Sequence, residues 1–219
     1  MDEVSSYFGM RKISMGRDQE GYMRILLNNE IIYQLGPLDQ GYWPDGLLTP
    51  ASDQALRYDI AYLKKIGANM DRMHMKVQPE RWYYHCDQLG ILVWQDMVSP
   101  TKFIETKSNL NPSDFELEHN LTLDQLYNHP SIIQWVLFNE SWGQYDTERL
   151  TAALKAKDPT RLVINASGWH DKKVGDIRDF HDYTIHPAVA LVNKNDDRAM
   201  VLGEAGGIDL LIPGHLWTP

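Results

Sequence analysis

A single cysteine, Cys86, occurs in 219 residues, so no internal disulfide can form and no Cys-x-x-Cys or Cys/His zinc spacing exists. Its place inside a helical pattern marks it as a small packed core residue. Basic charge is also scarce: 21 Lys and Arg against 30 Asp and Glu leave a net charge of −9. Nothing basic is clustered, which argues against nucleic acid or an anionic membrane surface as a partner. No apolar run approaches the roughly 18 residues of a membrane span, and the N-terminus lacks a signal-peptide core. The compartment therefore stays open: cytoplasmic, or periplasmic or secreted if an upstream signal has been removed. No period of 20 to 50 residues repeats, against a solenoid or propeller. No Gly-x-Ser-x-Gly elbow appears either, since Ser167 in Asn165-Ala166-Ser167-Gly168-Trp169 lacks the first glycine. The histidine spacings match no zinc motif, so neither a metal nor a cofactor is expected.

What is present is an alternation of short apolar runs and amphipathic stretches. Residues 1–20 read as a lead-in from an upstream domain or linker, with a weak strand at Tyr7–Ile13, and residues 21–219 as one α/β domain. Tyr22–Leu27 and Glu30–Leu35 form a hairpin through Asn28-Asn29, a turn that tolerates positive φ. The second arm continues as the first strand of the main sheet, into a loop carrying Asp39. Helices are predicted from Thr49-Pro50 with Pro at the first position, from Pro79 to Gly90, from the capping-box pattern Ser113-Asp114-Phe115-Glu116 to about Asn128, and from Asp146 to before Asp158-Pro159. Strands fall at Ala68–His74, Ile91–Met97, Ile132–Phe138, Arg161–Ala166, Ile177–Tyr183 and Met200–Gly203. The β, α, β, α order implies a parallel sheet with right-handed crossovers. Only about ten residues separate the fifth and sixth strands, too few for a helical crossover, so that link is expected to be irregular.

Parallel strands put their C-terminal ends on one rim. There the chain delivers Asp39, Arg72, His74, Trp94, Asp96, Asn139, Glu140, His181, Tyr183 and Glu204. In a closed eight-stranded barrel the fourth and seventh strands face each other, so Glu140 and Glu204 would approach across the mouth. Carboxyl groups about 5–5.5 Å apart are the arrangement for glycoside hydrolysis with retention. Trp142 and Trp169 lie just beyond strand ends, where an aromatic face can stack on a pyranose.

Several motifs in order carry a resemblance. Asn128-His129-Pro130-Ser131-Ile132-Ile133 with Trp135 and Asn139-Glu140, then Asn69, Arg72, Trp82-Tyr83, Asp87 and Gly90-Ile91-Leu92-Val93-Trp94, then Asp179-Phe180-His181-Asp182-Tyr183 and Val201-Leu202-Gly203-Glu204, are similar to signatures of the catalytic barrel of glycoside hydrolase family 2. The resemblance, strongest to its β-galactosidases, runs from about Tyr22 to the end. It implies a (β/α)8 TIM barrel and a retaining exo-acting β-glycosidase working through a covalent glycosyl-enzyme. Glu140 is then the general acid/base and Glu204 the nucleophile. It further implies that Asn139 binds the 2-hydroxyl, Tyr183 holds the nucleophile and Arg72 keeps it ionised, in a site that Asp39, Trp94, Asp96, Trp142, Trp169 and His181 help to line. The expected partner is a β-linked oligosaccharide or glycoside. The chain reads as stopping after the seventh strand, so missing domains or a second copy would complete the barrel. The alternative is a catalytically inactive truncated barrel that binds carbohydrate or acts as a scaffold. Asp39 and Asp96 together suggest an acidic rim that disfavours an anionic glucuronide.

Overall fold

The computed structural model describes residues 2–99, 111–184 and 193–207. Its ten strands and four helices fall in the order β1 (Ile13–Arg17), β2 (Met23–Leu27), β3 (Glu30–Ile31), β4 (Leu38–Asp39), α1 (Asp53–Lys65), β5 (Met70–Met73), α2 (Glu80–Leu89), β6 (Leu92–Asp96), α3 (Pro112–Leu126), β7 (Ile132–Val136), α4 (Thr147–Lys157), β8 (Leu162–Ile164), β9 (Ile177–Asp182) and β10 (Ala199–Ala205). Strands β4 to β10 form one seven-stranded sheet in sequential order, every pair parallel. This is a curled half-barrel of the TIM type. β1, β2 and β3 make a separate antiparallel sheet.

The parallel sheet is apolar on both faces, as buried parallel strands must be. On its convex side Met73, Val93, Trp135, Leu137 and Val163 pack under the helices, against Leu56 and Ile60 of α1, Trp82 and Cys86 of α2, Phe115 and Leu123 of α3, and Leu150 and Leu154 of α4. Cys86 is fully buried there, in the role its position suggested. On the concave side Met70, Trp94, Ile133, Val136, Ile164, Ile177 and Ala199 pack against Ile25, with Ile13, Met15 and Met23 of the antiparallel sheet. Met70, Ile177 and Ala199 begin their strands, so this sheet seals the N-terminal end of the half-barrel and leaves the C-terminal rim for chemistry.

Three strand boundaries differ from the sequence reading. The hairpin gains a third strand: β1 lies at Ile13–Arg17 rather than Tyr7–Ile13 and pairs along β2, while Asn28 and Asn29 take φ of 53° and 70° in the turn. The hairpin's second arm stops at Ile31. The first strand of the parallel sheet is instead the Leu35–Asp39 segment, whose carbonyls at Leu35, Pro37 and Asp39 accept from Asn69, Arg72 and His74. Gly36 is required in it, because a Cβ would lie 1.8 Å from the Met70 carbonyl oxygen. Two helices start elsewhere too. Ser52 caps α1, its hydroxyl accepting from the Ala55 N–H, and Asn111 caps α3 with Pro112 in the first turn. Asp146 precedes α4 but makes no side-chain cap. Gly90 ends α2 at φ 71° as expected, and the link from β8 to β9 holds no helix. The expected stop after the seventh strand concerns residues beyond 207, outside those described.

Candidate active site

β7 carries Asn139 and Glu140 to the rim, and its register is anchored at the opposite end. There Asp87 accepts from the Ser131 N–H at 2.8 Å and pairs with His129 at 2.7 Å. The Arg161 guanidinium donates to the carbonyls of Tyr127, His129 and Ile132. The Asn128–Ser131 signature is thus a mechanical anchor, one strand length from the chemistry. Beyond Val136 the ladder continues as an isolated Asn139–Ser167 bridge, with the Glu140 N–H donating to the Ser167 carbonyl at 2.9 Å. Glu140 and Ser141 then take φ of 48° and 65°. Non-glycine residues seldom hold that left-handed conformation, and such strain gathers at functional positions.

Glu204 arrives on β10 through a bulge: Leu202 pairs with Phe180 but Glu204 with His181, leaving Gly203 unpaired in the register. Bulges of this kind re-aim a side chain. Gly203 donates its N–H to Asp179 at 2.7 Å, and a Cβ there would lie 2.2 Å from both Asp179 oxygens. The side chains of Glu140, His181 and Glu204 consequently meet. One oxygen or ring nitrogen from each lies within 4.8 Å of the others, an approach close enough for the roughly 5–5.5 Å carboxyl spacing of a retaining pair and too close for the roughly 6.5–9.5 Å of an inverting one. Their carboxylates are 17% and 9% exposed, half-open to the rim.

Arg72 lies beneath this pair, 1% exposed. Its guanidinium grips Asp96 with two bonds of 3.0 Å and reaches Glu204 Oε1 and Asn139 Oδ1, each at 3.0 Å. His74 adds a 2.7 Å contact to Asp96. Burial opposes the Arg72 charge, but Asp96 holds it above the usual range. Burial likewise opposes the Asp96 carboxylate, and Arg72 with His74 holds it below. Tyr183 donates to Glu204 Oε2 at 2.5 Å and lies 3.3 Å from Glu140 Oε1. Burial first, then Glu204, pushes its phenol up. Arg72 and Tyr183 thus hold both oxygens of Glu204, while Glu140 meets Tyr183 and His181 through Oε1 alone.

The other predicted residues separate into rim and interior. Trp169 is 43% exposed and meets the His181 ring edge-on at 5.3 Å. Trp142 lies 6.2 Å from the His74 ring, its indole N–H without a partner. Trp94 does not reach the rim: it is 5% exposed in the concave cluster, its indole N–H donating to Gln34 at 2.5 Å. Asp39 and Asp96 do not form an acidic rim. Asp39 is paired with Lys76 at 2.9 Å, and Asp96 is 1% exposed and consumed by Arg72 and His74. The charge argument against an anionic sugar therefore falls. Two residues that the sequence reading did not place in the site reach it through His181. Ser167 had been weighed only as a nucleophile, and Asp179 only as part of a motif. The Ser167 hydroxyl lies 2.5 Å from Asp179 and 2.8 Å from His181 Nε2.

A half-barrel with paired carboxylates on its C-terminal rim belongs to the (β/α)8 class whose chemistry sits at that face. The family model for the TIM barrel domain of glycosyl hydrolases family 2 matches residues 50–199, and the chain belongs to that family. It is 30% identical over 175 residues, 71% of the chain, to a β-galactosidase large subunit of Latilactobacillus sakei. It is 32% identical over 120 residues, 50% of the chain, to a β-glucuronidase of Bacteroides fragilis. The chain spans only 26% and 17% of those relatives' own lengths. Among solved structures, a family 2 β-galacturonidase of Eisenbergiella tayi bound to galacturonate shares the fold, with a TM-score of 0.76 and 19% identity over 95% of this chain and 42% of that one.

Proposed function

We propose that the chain is the catalytic half-barrel of a retaining, exo-acting β-glycosidase, with Glu140 as acid/base and Glu204 as nucleophile. The observation that carries this reading is the approach of the two carboxylates within 4.8 Å around His181. Glu204, held by Arg72 and Tyr183, attacks the anomeric carbon as Glu140 protonates the departing oxygen. Glu140 then takes a proton from the water that opens the glycosyl-enzyme. Asn139 gives its carbonyl oxygen to Arg72, which leaves its amide N–H groups for a sugar hydroxyl. Trp142 and Trp169 flank the opening as stacking surfaces.

The test is a panel of 4-nitrophenyl β-D-galactoside, glucuronide, galacturonide and mannoside with the full chain. We expect turnover of at least one, and a loss on the order of 10²–10⁴-fold in both Glu140→Gln and Glu204→Gln. Added azide should rescue the Glu204 variant with inversion and the Glu140 variant with retention. Binding of a sugar without turnover by any member would instead favour a carbohydrate-binding scaffold.

A further inference from the structure

The acid/base reading of Glu140, on which this inference rests, requires its proton to be present in one half-reaction and absent in the other. Three contacts in series lead from Glu140 into the core. Its Oε1 is 3.0 Å from His181 Nδ1, His181 Nε2 is 2.8 Å from Ser167 Oγ, and Ser167 Oγ is 2.5 Å from Asp179 Oδ2. The interior members are shut away from water: the His181 side chain and Ser167 are 0% exposed and Asp179 is 2%. Glycines clear both ends of the line. A Cβ on Gly168 would lie 2.7 Å from His181 Nδ1, and one on Gly203 would strike Asp179.

Each of the three contacts needs one hydrogen. A neutral imidazole supplies one and the serine hydroxyl a second. With both carboxylates ionised, one contact would set two buried lone pairs face to face, a costly arrangement. We propose that Glu140 and Asp179 share one proton through His181 and Ser167, which makes Asp179 a buried proton store for the acid/base.

Two arrangements hold the same three hydrogens. In one, Glu140 donates to Nδ1, Nε2–H donates to Ser167, and Ser167 donates to the Asp179 carboxylate. In the other, protonated Asp179 donates to Ser167, Ser167 donates to Nε2, and Nδ1–H donates to ionised Glu140. Interconversion passes one proton across each contact and moves one net proton, with no other bond changed. The proton given to the leaving oxygen is the shared one. Its loss leaves one contact unsatisfied, which draws a proton back from the attacking water.

Burial pushes Asp179 up to about 6 against the pull of Arg72, so it can hold a proton near neutrality. Burial pushes His181 down to about 4, which disfavours the imidazolium as a resting place. The other charged or titratable groups facing the line are accounted for. Glu204 lies 3.5 Å from Nε2 and is held by Arg72. Tyr183 donates to Glu204 at its shortest contact, its hydroxyl lying farther off, 3.3 Å from Glu140 Oε1 and 3.5 Å from His181 Nδ1, and His74 and Asp96 sit behind Arg72.

The test reads the His181 tautomer by ¹⁵N NMR of the full chain at pH 7, with Asp179→Asn and Ser167→Ala. In Asp179→Asn the new amide N–H2 donates to Ser167 and locks the Nδ1–H form, whereas the parent chain shows both tautomers in exchange. That change should vanish when Asp179→Asn is made in a Ser167→Ala background. For the sugar the chain cleaves fastest, Asp179→Asn should lower kcat/KM for the phenyl glycoside at least tenfold more than for the 2,4-dinitrophenyl glycoside, which departs unprotonated. A general fold defect would lower both alike. An unmoved tautomer, a doubly protonated His181, a change that persists without Ser167, or equal losses on both substrates would overturn the relay. A responsive tautomer in a chain that cleaves no glycoside refutes the proposed activity alone. Turnover with an unmoved tautomer refutes the relay alone.

Discussion

Arg72 is a single cation serving four oxygens on three residues, and its shape matters as much as its charge. A guanidinium presents five N–H donors in a rigid fork, whereas an ammonium is a point charge. Arg72→Lys keeps the sign but cannot hold both Asp96 oxygens, Glu204 and Asn139 at 3.0 Å together. Asp96 stays neutralised by a residual cation, so the fold should survive, shown by a retained cooperative urea transition. Glu204, the proposed nucleophile, however, loses its fixed position. Misplacement of about 1 Å costs on the order of 10²-fold, and kcat for the best 4-nitrophenyl glycoside should fall by about that factor. A rate near the parent's would mean that charge alone suffices.

At the scale of elements, α3 carries a pH-dependent weakness. His119 is 8% exposed, packs on Phe115 with ring centres 5.9 Å apart, and leaves Nε2 without a partner. Burial, reinforced by Lys157, pushes it down to about 4. The unfolded chain takes up this proton near its ordinary pKa of about 6.5, before the folded chain does. The associated stability is therefore present above pH 6.5 and is lost as pH falls toward 4. Between pH 7 and pH 5 the loss should be about 2 kcal/mol from this group. Urea midpoints for the parent and His119→Leu at both pH values check it, the difference between the two changing by that amount. A constant difference would rule it out.

The elements also show what the chain makes legible. Runs buried along their whole length, such as Ile132–Val136 with Gln134 its one polar residue, were legible as strands, because burial on both faces leaves no other home for their apolar side chains. Helix starts were missed by a few residues. Ser52 and Asn111 cap through side-chain oxygens, while the nearby Pro50 and Ser113 offered equally good local signals. The first parallel strand was misplaced because Gly36-Pro37 looks like a turn, yet only glycine fits against the Met70 carbonyl. Within the site, Glu140 and Glu204 could be read as polar residues that end apolar strands. Trp94 was misjudged because it shares a face with Asp96 but lies two residues deeper, about 6.6 Å down the strand. Ser167 and Asp179 acquire meaning only from cross-strand pairing, which no single segment announces.

At the scale of the whole molecule, the half-barrel leaves a seam. Among the described residues β4 and β10 end the sheet, and unpaired strand edges invite association. Beside β10 runs a cavity of about 710 Å³ lined by Met23, Ile25, Ile31, Trp94, Val201 and Leu202, among others. Ile31 is 56% exposed at its border. An apolar seam favours contact between copies, while a net charge of −9 opposes it. Salt screens that repulsion without weakening the apolar term, so any association through the seam is expected to rise with ionic strength. Light scattering of the full chain should show mass growing with concentration and with added salt. Ile31→Lys should return it toward the monomer while changing the urea midpoint by no more than about 0.5 kcal/mol in stability, the usual range for an exposed site. Association that ignores this substitution would place the contact elsewhere on the surface.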